Sequence, residues 1–524
     1  MQGLRLRTWS LHPRPSLFTK FPIRSAHSGS ATPSSTKTHF QNHPTFRHAA
    51  VPKRRWQASS VGFGGYRVNR GNEGHAKALK LALQADVNVV DTSSHFSNGS
   101  SEELIGGVLD DVIKTKEVDR ESLIVITKCG YINLPPTTPA PTFPHTRISD
   151  TVAHSLHPTF LKDEISRSLD RLRLNTIDVF MLNNPERLLL GRDKKITKSE
   201  LNSHLTTAFN HLDSEVSSGR IKSYGICSHS LANPSSPEHF SLSDVMRAAK
   251  NGGSRVDDNF VAVEFPFNLF EREAFEGVGG VMRVAKEHGL FPIVHRPLYA
   301  IAGGRVRSLS TRFDVSIEDE PAISDRLTTN LEQMGRLELE LSDTLGSDSS
   351  STTMVAKFVW GQVLAENFGR LTQDSFAAQH YLEKQVLPAL KRDLEELRGF
   401  AEGEEEVREW GLQYEKAAQE VITSILQMCK ITALRHNLDL LAELKMRVPA
   451  LKSVDSLAAV ATIGAASALD VVNGNGSGVG EGGGCVLVGM RREEYVREIV
   501  EVAGKGVRLD EKGVEGLLGS WALQ

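Results

Sequence analysis

The 524-residue chain has little cysteine, no long apolar run and, at its start, no acid at all. Its four cysteines, Cys129, Cys227, Cys429 and Cys485, lie far apart without CxxC spacing. That argues against a disulfide framework or a structural zinc module and fits a reducing compartment. No apolar stretch approaches the roughly 18 residues that span a bilayer, so a membrane role is not expected. The net charge of −3, with no long basic run in the body of the chain, removes the electrostatic footprint of a nucleic-acid binder. The missing acids are confined to one end: the chain holds 64 Asp and Glu, yet the first is Glu73. The stretch before it carries Arg5, Arg7, Arg14, Lys20, Arg24, Arg47, Lys53, Arg54 and Arg55 among many Ser, Thr and Pro. An Arg- and Ser-rich, acid-poor segment without an apolar h-region has the composition of an organelle transit peptide, not a secretory signal. Residues 1–58 are therefore expected to be a transit peptide or disordered tail. The mitochondrial matrix is the expected compartment, with the cytoplasm as the alternative.

What the chain does contain begins near residue 60. Apolar, β-rich segments recur at 60–64, 88–92, 123–128, 178–183, 223–228, 260–265, 291–296 and 485–489. Helical spacing lies between the first seven of them, at 76–85, 102–113, 160–174, 205–216, 245–250 and 275–288. Strand and helix in alternation mean parallel strands with crossover helices, and eight strands point to a (β/α)8 TIM barrel, an open doubly wound sheet being the alternative. The rhythm breaks once, between the seventh and eighth strands. There residues 300–484 show long amphipathic patterns at 323–345, 358–368, 380–400, 404–428 and 434–446, read as a helical insertion. The division is thus 59–299 for strands one to seven, 300–484 for the insertion with a Gly-rich linker, and 485–524 for the last strand and a terminal helix. The linker, from Asn473 to Gly484, lacks the strand before and helix after that a phosphate loop needs. A Pro-rich loop, Pro135 to Pro141, follows the third strand.

The stretch from Asn88 to Glu102 carries the chemistry. An apolar strand ends in Asp91, turns through Thr92-Ser93-Ser94-His95-Phe96-Ser97-Asn98-Gly99, and reopens as a helix at Ser101-Glu102. A carboxylate at a strand end is costly to bury unless paired, and α/β proteins place their sites at strand ends. The bland alternative is a loop carboxylate that caps the following helix. On a barrel, Asp91, Lys128 and Asn183 share one mouth, where an Asp–Lys pair tunes a neighbouring acid or acts only as a structural salt bridge.

With these segments in order, the sequence resembles the aldo-keto reductases. Val61-Gly62-Phe63-Gly64-Gly65 is similar to the family's first-strand glycine motif, Asp91-Thr92-Ser93 through Gly99-Ser100-Ser101-Glu102 to its DTAxxYGxGxSE signature, and Ile126-Thr127-Lys128 to its lysine strand. Ser168-Leu169-Asp170-Arg171-Leu172, Tyr224-Gly225-Ile226-Cys227-Ser228, Phe267-Asn268-Leu269 and Val486-Leu487-Val488-Gly489-Met490-Arg491 follow with the family's later motifs. The resemblance implies hydride transfer between NAD(P)H and a small carbonyl or alcohol substrate, run by an Asp, Tyr, Lys and His tetrad. Asp91 and Lys128 match; Phe96 stands at the tyrosine position and Asn183 at the histidine position. Lys128, His95 or a water held by Asn183 is left to supply a hydrogen bond to the developing alkoxide.

For the cofactor the resemblance implies Gly64, Ser228, Glu264, Phe267, Pro297, Leu298, Gly489, Met490 and Arg491. Glu264 stands where the family often has Gln, and His229 where Asn follows the Ser. Arg491 and Arg492 suit a 2′-phosphate, which favours NADP(H) over NAD(H). No metal is implied. Two readings follow: an oxidoreductase with an incomplete tetrad, or a cofactor-binding sensor or scaffold whose helical insertion meets a protein partner. The retained Asp91 and Lys128 favour the enzyme.

Overall fold

A computed structural model describes residues 26–42, 46–135, 141–192, 195–252, 255–276, 280–302, 305–345, 349–474 and 481–519. Eight parallel strands close into a barrel: β1 (Val61–Gly64), β2 (Val89–Asp91), β3 (Ile124–Cys129), β4 (Ile177–Asn183), β5 (Ile221–Cys227), β6 (Phe260–Pro266), β7 (Phe291–His295) and β8 (Cys485–Val488). β8 pairs with β1 through Val486 opposite Val61, which closes the ring. Most strand residues are buried, as a parallel sheet covered on its outer face requires. Val89, Ile126, Met181, Ala262, Ile293 and Leu487 fill the interior, whereas Phe63, Phe180, Val263 and Val488 pack outward under the helices. The period-2 alternation of side chains sets this division. It also puts Asp91, Lys128, Asn183 and Glu264 at the carboxyl ends of their strands.

The floor of the barrel corrects the expected extent of the tail. Residues 33–42 form a helix, and His48–Val51 pairs antiparallel with Trp56–Ser59. Ala49, Val51, Trp56 and Ala58 join the interior cluster. This hairpin plugs the amino-terminal end, and a basic, acid-free stretch gave no sign of it because Trp56 and three small apolar residues carry the packing. Of the expected tail, residues 1–25 and 43–45 lie outside the described ones.

The insertion follows β7 as expected, but with different limits. Helices Glu320–Leu345, Trp360–Leu371, Leu387–Phe400 and the front of Glu405–Arg447 enclose a separate core around Met334, Leu341, Phe358, Trp410, Tyr414 and Val421. The patterns at 404–428 and 434–446 are one continuous helix, since nothing between Cys429 and Ala433 breaks it. At 1.5 Å per residue its 43 residues reach roughly 65 Å. Its rear residues Leu440, Leu441 and Leu444 belong to the barrel's outer core. The helix Leu457–Asn473 is not part of the insertion. It packs on β8 and on Val281–Glu287 as the barrel's seventh crossover helix. Because it is apolar on every side, amphipathic spacing could not reveal it. The middle of the Gly-rich linker and most of the Pro-rich loop lie outside the described residues.

Candidate active site at the barrel mouth

Adjacent strands bring the charged residues together. β2 pairs with β3 and β5 with β6, with Cys227 opposite Glu264. Lys128 Nζ donates to Asp91 and, at 2.8 Å, to Glu264 Oε2. All three side chains are almost fully buried. Glu264 Oε1 accepts from His295 Nδ1 at 3.0 Å, so Asp91, Lys128, Glu264 and His295 form one hydrogen-bonded row. Burial works against each charge. It raises Asp91, and Lys128 only partly offsets the rise. Burial opposes ionisation of Glu264 as well, but Lys128 and His295 outweigh it and hold this carboxyl low. For Lys128 the two carboxylates overcome burial and hold the ammonium above its usual range. Cys227, Glu264 and His295 also offer donor atoms within 4.8 Å of one another, but both Glu264 oxygens are committed and the neighbouring ammonium repels a cation.

Phe96 lies in a tight turn where Ser97 and Asn98 adopt positive φ, and Lys128 Nζ sits 5.9 Å from its ring centroid. The ring thus occupies the space above the ammonium without a proton to give. His95 is fixed by Ser93: the Ser93 hydroxyl gives its hydrogen to the Lys128 carbonyl at 2.8 Å, so His95 Nδ1, also at 2.8 Å, must donate to Ser93. His95 is therefore a neutral imidazole with an open Nε2, and burial followed by Lys128 pushes its pKa down to about 4. Glu102, from the same signature stretch, is structural. It accepts from Thr127 at 2.6 Å and from Arg171 at 2.5 Å, tying its helix to β3 and to the helix Pro158–Leu172.

Asn183 is buried, and its side-chain amide has no hydrogen-bond partner among the described residues. Its backbone carbonyl accepts from His154 Nε2 at 2.7 Å. Sequence reasoning missed His154. It comes from a small antiparallel sheet after β3, in which Tyr131–Asn133 pairs with Val152–His154, too short and half-exposed to give a pattern. Gly130 makes the approach close: a Cβ there would collide with the Asn183 carbonyl and the His154 ring. Glu186 was also missed. It is fully buried, accepts from His229 N and Asn184 Nδ2 at 3.0 Å each, and burial pushes it up to about 7.

The residues expected to hold a dinucleotide divide by end. At the phosphate end, Gly489 is exposed with no atom within 4 Å of a built Cβ, and Arg491 has no carboxylate partner among the described residues. Both precede the helix Glu493–Lys505, whose N-cap Arg492 makes no side-chain cap. First-turn amides left open in this way suit an anion, and Glu493 and Glu494 are paired with Arg497 and Arg492. Met490 is buried, as is Pro297, while Leu298 is half-buried. At the nicotinamide end the side chains are already engaged. Ser228 Oγ accepts from the amides of Ser230 and Leu231 at 3.2 and 3.3 Å, Glu264 is taken by Lys128 and His295, and Phe267 is buried against Phe275. Gly64 lies half-buried at the end of β1, against the Val488 carbonyl. His229 is exposed, its ring 5.2 Å from that of His295.

A closed eight-stranded parallel barrel with a buried ion cluster at its carboxyl-end mouth defines a class of α/β-barrel proteins with a preformed polar site. The chain belongs to the aldo/keto reductase family, whose sequence profile matches residues 60–459. No curated protein matches it. Among solved structures, a glycerol dehydrogenase from Gluconobacter oxydans is 18% identical, with 48% of this chain and 64% of that one covered and a TM-score of 0.34. An aldo-keto reductase from Bacillus halodurans in its holo form is also 18% identical, over 52% and 70% of the two chains, with a TM-score of 0.35. A Klebsiella pneumoniae aldo/keto reductase in complex with NADP and acetate is 14% identical, over 48% and 69%, with a TM-score of 0.34. At these TM-scores the family assignment rests on the sequence profile.

Proposed function

We propose that the chain is an NADP(H)-dependent oxidoreductase that carries hydride between a nicotinamide and a small carbonyl or alcohol substrate. The observation that carries this reading is the buried Asp91–Lys128 pair at the ends of β2 and β3, in a chain of this family. The nicotinamide, when bound, supplies or takes the hydride. The residues around it do the rest. Lys128, held ionised by two carboxylates, places a fixed ammonium beneath the mouth, on the side where negative charge develops on the substrate oxygen. The open amide of Asn183 can donate to that oxygen, and Phe96 keeps water off the ammonium. Arg491 and the amides at the start of the helix Glu493–Lys505 would hold the adenosine phosphate, which favours NADP(H).

The alternative, a cofactor-binding sensor or scaffold, draws on Phe96 and Asn183 at the tetrad positions. The test is NADPH and NADH binding by the purified protein, read by fluorescence, with cofactor oxidation recorded on quinones, dicarbonyls and sugars. Binding with oxidation supports the enzyme. Binding without oxidation on any substrate supports the sensor, and no binding overturns both. Mitochondrial delivery by the acid-free amino terminus belongs to the same proposal. It requires cleavage ahead of the hairpin that begins at His48, because cutting at 58 would remove Trp56 and the barrel floor; the size of the imported protein tests it.

A further inference from the structure

Reduction of a carbonyl needs a proton on its oxygen, and four of the mouth groups named so far supply it poorly. Phe96 has no acidic hydrogen. His95 is neutral and spends its Nδ1 hydrogen on Ser93. His154, fully buried and held to about pKa 4, first by burial, gives its Nε2 hydrogen to the Asn183 carbonyl. Lys128 is pinned between two carboxylates that oppose loss of its proton.

Tyr131 is placed differently. It lies three residues beyond Lys128, half-buried, its ring 4.8 Å from that of His95 and 5.2 Å from that of His154. It therefore sits inside a run of rings that passes from Tyr66 to Phe96, 5.3 Å apart, then to His95, 4.9 Å from Phe96, and ends at the group bonded to Asn183. Arg187 Nε donates to its phenolic oxygen at 3.2 Å, which leaves the phenol's own hydrogen free to point elsewhere. Arg187 is steadied in turn by Glu238 at 3.3 Å. A guanidinium bonded to a phenol oxygen is also the group best suited to stabilise the phenolate left when that hydrogen departs. Of the other phenols on this side of the barrel, Tyr66 is 61% exposed, and Arg67 lies over the ring faces of Tyr66 and Tyr299, not at a phenol oxygen.

We propose that Tyr131 is the proton donor of this mouth, with Arg187 as its positioning residue. The inference rests on the hydride-transfer reading above. In the reductive direction a bound reduced nicotinamide would supply the hydride pair of the new C–H bond, and the carbonyl π pair would pass to oxygen. That oxygen takes the Tyr131 hydrogen as the phenolic O–H bond breaks, the phenolate remains beside Arg187, and water reprotonates it.

The test uses Tyr131→Phe, Arg187→Met and Tyr66→Phe in the full chain, with thermal melts to show that each is folded. Tyr131→Phe keeps the ring contacts and is expected to lower kcat by roughly 100-fold or more, with NADPH affinity unchanged. Arg187→Met is expected to lower kcat and shift the alkaline limb of the pH–rate profile upward, because the phenolate loses its partner. Tyr66→Phe is expected to leave kcat as it was. A Tyr131→Phe protein that binds NADPH and retains wild-type kcat overturns the assignment. Failure of the underlying reading is separate: the wild-type protein itself would bind no dinucleotide, or bind it without oxidising it on any substrate, and either result overturns the assignment of Tyr131 with it.

Discussion

Replacing Lys128 with Met removes the cation that Asp91 and Glu264 share while keeping most of the stem's volume. Unit charges about 4 Å apart at an effective dielectric of about 20 interact by ~4 kcal/mol, and stripping one partner from a buried ion pair costs about 3–5 kcal/mol. A buried carboxylate that loses its ammonium reduces that cost by binding a proton. Glu264 moves furthest, because Lys128 now holds it below the ordinary range, whereas Asp91 is already raised. In the variant both carboxyls titrate above their unfolded values of about 3.9 and 4.3. Above about pH 4 the folded variant then binds more protons than the unfolded chain. Its stability falls as pH rises, by ~1.4 kcal/mol per unit for each such group, until the raised pKa is passed. In the wild type the depressed Glu264 acts oppositely: its contribution is present above about pH 4.3 and is lost as pH falls through its lowered value. The two proteins should therefore be close in stability near about pH 4.5 and ~3–5 kcal/mol apart near about pH 8. Urea denaturation across that range reads the difference. A gap that does not widen with pH, or no gap at all, would refute a buried ion cluster at the mouth.

Phe96→Tyr places a phenol above the Lys128 ammonium and should leave kcat little changed, because Tyr131 already supplies the proton; a rise of roughly 100-fold or more in a folded variant would show that the mouth lacks a donor. Gly130→Ala pushes a methyl into the Asn183 carbonyl and the His154 ring, and should cost about 1–3 kcal/mol in chemical denaturation. Arg491→Glu, at the open end of β8, should weaken NADPH binding by about 10- to 100-fold, the worth of a charge-assisted contact of about 1.5–3 kcal/mol, while NADH binding changes less. Equal losses for the two cofactors would place the 2′-phosphate elsewhere.

The barrel was legible because each strand announces itself twice, by β-branched apolar runs such as Ile124-Val125-Ile126 and by the helix that follows it. The same reasoning failed wherever burial was complete or contacts were few. Leu457–Asn473 is buried all round and so shows no stripe. The hairpin His48–Val51 with Trp56–Ser59 depends on one large side chain inside the barrel, in a segment whose overall composition resembles a tail. Cys429 to Ala433 read as a gap between two helices, because amphipathic phase changes where the long helix passes from the insertion core to the barrel core.

At the mouth, residues on the strands were legible and residues between them were not. Asp91, Lys128, Asn183 and Glu264 stand at strand ends, where position along the chain fixes position in space. Tyr131 and His154 reach the mouth on three-residue strands between β3 and β4, and Glu186 and Arg187 on a short 3-10 turn after β4, segments too short to show a period from which their place can be read. A substitution such as Phe96 therefore appears in the sequence as a loss, although a barrel mouth gathers groups from several chain segments around one point. The Glu264 carboxylate illustrates the same limit. Its sequence position suggests a contact to the cofactor, but once Lys128 is buried between two acids, electrostatics draws that carboxylate inward, and His295 takes its other oxygen.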